Sequence, residues 1–182
     1  MKSLWIYKIL FIGLFSIFFF TPYFGLFPDF YRLKNVRIID GDTIEADMGE
    51  NNVHQRIRFI FIDAPELEQK SKEGIKIGLN SKISLTNFLS HRDIGAEIFG
   101  LDIYGRNLGR IFIFKKGKKY DIGEEMLKFG QAIPYTFKNT PPSSYMRANK
   151  KAKNNRLGIY GTQGFQSPYL YRRKMKSKRK GS

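Results

Sequence analysis

Apolar and polar residues alternate over several short stretches in the middle of the chain, the period of a strand with one buried face. These stretches are residues 36–38, 43–46, 53–62, 96–99 and 108–114. The third (VHQRIRFIFI) ends in continuously apolar sequence, which is typical of a strand covered on both sides. The turn-forming residues MGENN separate it from the stretch before it. The pattern therefore predicts five strands.

Three other stretches carry helical signals. Asp121 is placed to cap a helix, and Glu124 stands at the capping-box position of that helix. A second helix is predicted to begin at Ser143 or Ser144, after two prolines. A third covers residues 79–89, with a less regular apolar stripe. Strands and helices in this order predict a mainly β, α+β fold: a five-stranded OB-fold barrel with about three helices.

The chain begins with a long uncharged stretch, residues 9–27, with Lys2 and Lys8 before it. As a helix it would be about 28 Å long, close to the roughly 30 Å hydrocarbon core of a bilayer. It is either a cleaved signal peptide or an uncleaved N-terminal hydrophobic helix. We favour the membrane anchor because the small residues of a cleavage site are missing from residues 21–30. We therefore expect a protein that is anchored by one helix or exported, with its domain outside the cytoplasm.

The chain is strongly basic, which narrows the class of partner. Of its 182 residues, 32 are Lys or Arg and 16 are Asp or Glu, so the net charge is +16 and polyanions are the expected partners. Residues 171–182 (YRRKMKSKRKGS) hold seven of the positive charges. We predict that they are a disordered tail that adds affinity for nucleic acid or lipid headgroups without reaching the chemistry.

These features suggest three regions. Residues 1–30 are the hydrophobic anchor or signal segment, residues 31–165 the barrel domain, and residues 166–182 the basic tail. The chain contains no cysteine, which excludes a disulfide scaffold, a thiolate metal site and a thiol nucleophile.

Three short motifs carry candidate chemistry: IIDGDTI (residues 38–44), RFIFIDAPE (residues 58–66) and DIYGR (residues 102–106). Each one alone has a structural explanation. The first is a common turn, the second can start a helix, and the third can be a plain hairpin loop. Glu45, just after the first motif, is expected on a solvated strand face. The combination of the three motifs is more informative than any one of them.

Together the motifs place carboxylates and arginines near strand ends. Asp42, Asp63 and Glu66 can converge on one rim of a small barrel, and such hard oxygen ligands suit Ca²⁺ or Mg²⁺. Two guanidinium groups, Arg58 and Arg106, beside a cation and a spare carboxylate would make a phosphodiester-cleaving site. Arg58 and Asp63 begin on opposite faces of the predicted strand, so the strand must curve to bring them together.

The order and spacing of these motifs resemble the staphylococcal nuclease (thermonuclease) family over about residues 36–160. The resemblance implies that Asp42 and Asp63 bind Ca²⁺ together with the backbone carbonyl of Ala64. It implies that Asp40 lies beside these ligands without being one of them.

The resemblance also assigns roles in catalysis and substrate binding. Glu66 matches the carboxylate that activates or orients the attacking water. Arg58 and Arg106 match the arginines that stabilise the phosphoryl transition state. Tyr104 and Tyr135 resemble the tyrosines that line the nucleotide site.

The implied function is that of a calcium-dependent endonuclease acting on DNA, RNA or both, with no obligate protein partner. The alternative is a non-catalytic OB-fold protein that binds nucleic acid and is tethered to a membrane. A protein that only binds has no need for all of the matched carboxylates and arginines at once, so their joint presence favours the enzyme.

Overall fold

The computed structural model describes residues 28–136 and 140–180. The elements in chain order are β1 (Asp29–Ile38), β2 (Thr43–Met48), β3 (Val53–Phe59), β4 (Ile62–Asp63), α1 (Ile77–Leu89), β5 (Asp93–Leu101), β6 (Asn107–Lys115), β7 (Lys118–Asp121), α2 (Ile122–Lys128), β8 (Ile133–Pro134), α3 (Ser143–Asn154), a 3₁₀ turn (Gly158–Gly161) and α4 (Pro168–Lys180).

Five strands close into a barrel. β1 pairs with β2 and β5, β2 pairs with β3, and β5 pairs with β6, all antiparallel. The barrel closes where β3 runs parallel to β6, with Ile57 opposite Asn107 and Phe59 opposite Gly109. β7 extends the sheet beyond β6, and β4 and β8 form a separate small pair. The predicted α+β fold with a five-stranded OB-fold barrel is confirmed.

The interior of the barrel is filled by the apolar positions of the alternating stretches. Ile44, Ile57, Ala96 and Ile111 are fully buried and belong to one hydrophobic core. Alternate side chains of a strand point to the same face, so a strand with this pattern places them all inside. Helices α1 and α2 add further buried residues to this core, which makes the barrel a rigid base for the loops at its rim.

The three predicted helices are present as α1, α2 and α3, and the described part of the chain adds α4. The cap of α2 forms as expected, because the Asp121 side chain accepts a hydrogen bond of 3.2 Å from the Glu124 backbone N–H. This bond satisfies one of the free donors at the start of the helix.

The predicted continuous strand over residues 53–62 is wrong. β3 ends at Phe59, the chain turns through Ile60 and Phe61, and it resumes as β4. Phe61 has a φ of 73°, a left-handed conformation that a bulky side chain adopts only when its surroundings impose it. Its backbone carbonyl accepts a hydrogen bond of 2.8 Å from the Tyr135 N–H, and this contact from a distant segment helps to hold the turn.

The prediction of a disordered tail is wrong for residues 168–180, which form α4. Pro168 is buried, and Tyr171, Arg172 and Met175 are half-buried. This spacing of three and four residues places all of them on one face of a helix, so α4 has a side that packs on the domain.

The N-terminal hydrophobic stretch over residues 9–27 lies outside the described residues. Within the part of the chain that the structure does describe, no helix is both long and apolar enough to span a bilayer. β1 begins at Asp29, so the strand crosses the boundary predicted between residues 30 and 31.

Candidate active site

The site is built around Arg58, at the end of β3. One guanidinium nitrogen, Nη1, contacts the carboxylate of Asp42, and the other, Nη2, lies 2.9 Å from Asp63 Oδ1. Both carboxylates are almost fully buried, with exposures of 4% for Asp42 and 2% for Asp63. Burial lowers the pKa of Arg58, but the neighbouring Asp42 and Asp63 outweigh it and raise the pKa above its ordinary value. The arginine is therefore permanently charged and held by two ion pairs.

Strand register and the Phe61 turn explain this arrangement. Thr43 pairs with Arg58 between β2 and β3, which brings the preceding Asp42 next to the arginine. Arg58 and Asp63 would lie on opposite faces of a regular strand, but the turn at Phe61 redirects the chain and brings the two side chains together. The residue spacing predicted that this strand must be distorted, and curvature of the strand was the expected form. The structure provides it as a turn.

The turn between β1 and β2 fixes Asp42. The Asp42 N–H donates to Asp40 Oδ1 at 3.0 Å, and Asp42 Oδ2 accepts from the Ala64 N–H at 2.7 Å. A Cβ on Gly41 would lie 2.1 Å from Ser81 Oγ, so only glycine fits in the middle of this turn. Burial, and then the charge of Asp42, raise the pKa of Asp40 to about 6. A second negative charge, on Asp40 beside Asp42, is therefore energetically unfavourable.

The carboxylates at this site are of the chemical type that binds a hard divalent cation. Asp42 and Asp63 are close enough to share one guanidinium, and Asp40 is close enough to Asp42 for their charges to interact. Carboxylate oxygens are among the ligands that Ca²⁺ prefers. Within residues 28–136 and 140–180, however, no group of three His, Cys, Asp or Glu side chains is arranged as a metal site. The assignment of Asp42, Asp63 and the Ala64 carbonyl as ligands therefore stays a prediction.

Glu66 follows β4 on a loop that is held by its backbone. Its N–H donates to Gln69 Oε1 at 3.3 Å, and a Cβ on Gly78 of α1 would lie only 1.8 Å from its carbonyl oxygen. The Glu66 side chain is 40% exposed, and its Oε1 lies 2.7 Å from a guanidinium nitrogen of Arg172 on α4. The loop thus presents a partly exposed side chain from a tightly packed backbone.

Arg106 is positioned by Asp102, a residue of the third motif to which the sequence analysis gave no role. The Arg106 Nε and Nη2 atoms both lie 2.7 Å from Asp102 Oδ2, while the N–H groups of Tyr104 and Arg106 donate to Oδ1. Burial raises the pKa of Asp102, but these hydrogen bonds lower it overall. The spacing of four residues between aspartate and arginine was the available signal for this pair.

A cleft of about 780 Å³ brings the predicted residues together. Its lining includes nearly all of them: Asp40, Asp42, Arg58, Ala64, Glu66, Tyr104, Arg106 and Tyr135. Asp63 is the exception, because it is buried beneath Arg58. The Arg58 Cζ lies 6.0 Å from the centre of the Tyr135 ring.

Arg172, on α4, belongs to the site but was not predicted from the sequence. Its Nη1 lies 2.7 Å from Glu66 Oε1 and 3.2 Å from Asp63 Oδ1, and its Nη2 lies 3.0 Å from Asp63 Oδ2. The expectation that the tail does not reach the chemistry is therefore wrong. The available signal was the apolar spacing of Pro168, Tyr171 and Met175, which is that of a docked helix.

This arrangement suits hydrolysis of a phosphate ester. The guanidinium groups of Arg58 and Arg106 line the cleft, where their positive charge can stabilise phosphate oxygens, and the carboxylate of Glu66 can accept or orient a proton of water. Both arginines are held by carboxylates, so their charges are in place before a substrate binds.

Sequence comparison agrees with this chemistry. A protein of Shigella flexneri named micrococcal nuclease is 28% identical over 153 residues, which cover 81% of this chain and 83% of that protein. A probable endonuclease LCL3 of Komagataella phaffii is 29% identical over 122 residues, 64% of this chain and 54% of that protein. Protein ParB of Escherichia coli is 27% identical over 154 residues, 81% of this chain and 82% of its own length.

The sequence profile described as staphylococcal nuclease homologue matches residues 56–162, more than half of the chain. The matched range begins just before Arg58 and includes Asp63, Glu66 and Arg106. With the barrel and the cleft in place, this match confirms the resemblance drawn from the three motifs, and the chain belongs to the staphylococcal nuclease homologue family.

Proposed function

We propose that this protein is a calcium-dependent nuclease that hydrolyses the phosphodiester bonds of DNA, RNA or both. The observation that carries the proposal is that Arg58, Arg106 and Glu66 line one cleft, with Arg58 ion-paired to the buried Asp42 and Asp63. Membership of the family and the nuclease names of similar proteins support it.

In this proposal the arginines stabilise charge at phosphorus. Negative charge grows on the phosphoryl oxygens as water attacks, and fixed positive groups lower the energy of that state. Arg58 is held by Asp42 and Asp63, and Arg106 is held by Asp102. Neither guanidinium has to be ordered when the substrate binds. The planar fork of arginine can hold two oxygens, which a lysine cannot do.

Glu66 acts on the attacking water, as a base or by orienting it. Its exposed carboxylate lies on the same cleft as the two arginines. Asp42, Asp63 and the carbonyl of Ala64 would hold Ca²⁺, with Asp40 beside them, and the bound ion would supply further positive charge to the phosphoryl group. Tyr104 and Tyr135, which also line the cleft, would contact the nucleotide.

One observation favours the alternative of a non-catalytic nucleic-acid-binding protein. Arg172 pairs with both Asp63 and Glu66, so the carboxylates needed for catalysis are neutralised by the chain itself. A binding protein would gain from this neutralisation, because unpaired carboxylates repel phosphate.

A nuclease assay on the full chain separates the two functions. We expect cleavage with calcium and none with excess chelator. Glu66→Gln should reduce turnover by about 10²–10⁴-fold, the usual contribution of a general base, while the protein stays folded and binds substrate. Glu68→Gln is the matched control, since it removes the same charge from an exposed neighbour and should leave turnover unchanged.

Equal cleavage by the wild type and Glu66→Gln would show that the assigned site is wrong. No cleavage by the wild type, together with slightly tighter nucleic-acid binding by Glu66→Gln, would establish the binding protein instead.

We also propose that residues 9–27 anchor the protein in a membrane and that the domain lies outside the cytoplasm. The support is the absence of charge over a stretch long enough to cross the hydrocarbon core.

A further inference from the structure

One face of α4 lines the same cleft as the proposed catalytic residues. The cleft-lining residues of this helix are Tyr169, Arg172, Arg173 and Lys176, which we call the α4 wall. Their spacing of three, one and three residues places them on a single side of the helix. The wall therefore presents three cations and one aromatic ring to the cleft.

Hydrogen bonds to the segment just before α4 hold the α4 wall in place. The Gln69 Nε2 donates to the Gln166 carbonyl at 2.7 Å, and the Lys72 N–H donates to the Gln163 carbonyl at 3.0 Å. Gln69 is itself 1% exposed and also accepts from the Glu66 N–H. The start of α4 is thus tied to the loop that carries Glu66.

Arg172 completes the attachment. It bridges Asp63 and Glu66 through both of its terminal nitrogens, so ion pairs attach the helix to these two residues of the site. Burial lowers the pKa of Arg172, but its contacts with Asp63 and Glu66 raise it overall. A charged, forked group of this kind holds the helix at a defined distance from the catalytic loop.

Two cations of the wall are left for a partner. Within residues 28–136 and 140–180, neither Arg173 nor Lys176 forms an ion pair with an Asp or Glu side chain, whereas Arg58, Arg106 and Arg172 all do. Both side chains are exposed and line the cleft. Tyr169 beside them lines the same cleft and is 62% exposed, so its ring is accessible to a ligand.

We propose that the α4 wall binds the nucleic-acid strand next to the bond that is cut. Arg173 and Lys176 contact backbone phosphates, and Tyr169 stacks on a base. The occupant is a nucleic acid because the wall combines unpaired cations with an exposed aromatic ring on one cleft, and such a surface matches the phosphates and bases of a single strand. This inference rests on the proposed function and extends it by assigning the residues that hold the substrate outside the reaction centre.

The test compares two doubly substituted full-length proteins. Arg173→Gln/Lys176→Gln removes two charges from the cleft. Lys174→Gln/Lys151→Gln removes two charges from exposed residues that do not line it. Binding of a fluorescent single-stranded DNA hexamer is measured by anisotropy in chelator, over a range of salt concentrations. Thermal unfolding verifies that both variants fold.

We expect the cleft variant to bind the hexamer at least tenfold more weakly and the control to stay within twofold of the wild type. The salt dependence of the cleft variant, as the slope of log K against log salt, should fall by about 1.4, since each lost phosphate contact on a single strand contributes about 0.7. Equal weakening in both variants, or no weakening in either, would overturn the proposal.

The aromatic contact is tested in the same assay. Tyr169→Ala should weaken hexamer binding by about 5- to 150-fold, the usual range for loss of one stacked base, and Tyr169→Phe should retain it. Leu170→Ala is the control, because it removes an exposed apolar neighbour that does not line the cleft. Equal binding by Tyr169→Ala and the wild type would remove Tyr169 from the site.

Two further outcomes distinguish this inference from a membrane-binding role of α4 and from the proposed enzymatic function. If the cleft variant loses binding to phosphatidylserine vesicles but keeps hexamer binding, α4 is a membrane contact and the inference is wrong. If the wild type binds the hexamer through the wall but cleaves no nucleic acid with calcium, the proposed enzymatic function fails, and the α4 wall stands as a binding site for nucleic acid alone.

Discussion

Glu66 depends on a residue that carries no chemistry. Gly78 in α1 lies against the Glu66 backbone carbonyl, and its own N–H donates to the Gln69 carbonyl at 3.2 Å. The helix can approach the loop this closely only because Gly78 lacks a side chain. At the scale of single residues, the position of the proposed base is therefore set by a backbone contact.

We expect Gly78→Ala to displace the Glu66 loop, since the added Cβ would lie 1.8 Å from the Glu66 carbonyl oxygen. Overpacking of this kind costs about 1–3 kcal/mol of folding free energy. Turnover should fall as well. Urea unfolding and the nuclease assay measure the two effects. Asn80→Ala, at an exposed position of the same helix, should change stability by less than about 0.5 kcal/mol.

Glu45 illustrates a different residue-scale effect. It was expected on a solvated face, but it is 6% exposed and its carboxylate accepts hydrogen bonds from Arg56 and Arg37. The hydrogen bonds from Arg56, and then the hydrogen bond and charge of Arg37, lower the pKa of Glu45 to about 2. A lowered pKa means that folding favours the charged carboxylate.

The stabilisation from Glu45 is complete above the unfolded pKa of about 4.5 and disappears as the pH falls through about 2. Glu45→Gln should therefore lower the melting temperature most at neutral pH, and the difference from the wild type should shrink towards pH 2. Thermal unfolding of both proteins between pH 7 and pH 2 measures this. A difference that does not depend on pH would mean that the ion pairs contribute no stability.

At the scale of elements, α4 would compete with a bound cation for the same oxygens. Arg172 occupies both carboxylate oxygens of Asp63 and one oxygen of Glu66. A divalent cation that binds Asp63 must displace this guanidinium, and the cost of displacement reduces the apparent affinity for the cation.

We expect Arg172→Gln to bind Ca²⁺ more tightly, by about tenfold or ~1.4 kcal/mol, in the absence of nucleic acid. Isothermal titration calorimetry measures the affinity directly, without reference to activity. Arg173→Gln is the matched control, because it removes the same charge from the cleft but no ion pair with Asp63. If both variants gain affinity equally, the gain reflects net charge and Arg172 does not compete.

At the scale of the whole molecule, barrel closure assembles the site. The parallel pairing of β3 with β6 places the end of β3, with Arg58, beside the start of β6, just after Arg106. Residues from the first half of the barrel and from the loop before β6 therefore face one cleft. The apolar core beneath them keeps this rim rigid.

The N-terminal stretch leads to a prediction for the full-length protein. If residues 9–27 form an uncleaved anchor, the protein should stay in the membrane fraction after washing with alkaline carbonate, because a spanning helix is held by its apolar surface. Fractionation and immunoblotting measure this. Soluble protein whose N-terminal sequence begins beyond Thr21 would establish the cleaved signal peptide instead.

The barrel and the residues that make up the site follow from the amino-acid sequence alone. Alternation of apolar residues specifies which side of each strand is buried, and this requirement is local. The carboxylates and arginines of the three motifs are identifiable because few other side chains can bind a cation or phosphate, whatever the fold around them. All of the predicted residues lie at one cleft, apart from Asp63, which is buried directly beneath Arg58.

The turn at Phe61 and the position of α4 depend on contacts between distant parts of the chain. The left-handed backbone at Phe61 is imposed by its surroundings, which include a hydrogen bond from Tyr135, and no local preference of phenylalanine predicts it. Arg172 contacts Asp63 across 109 positions of sequence. Hydrophobic periodicity and charge composition describe only residues that are near one another in the sequence. A basic helix that is docked on the site can therefore look, in sequence, like a solvated basic tail.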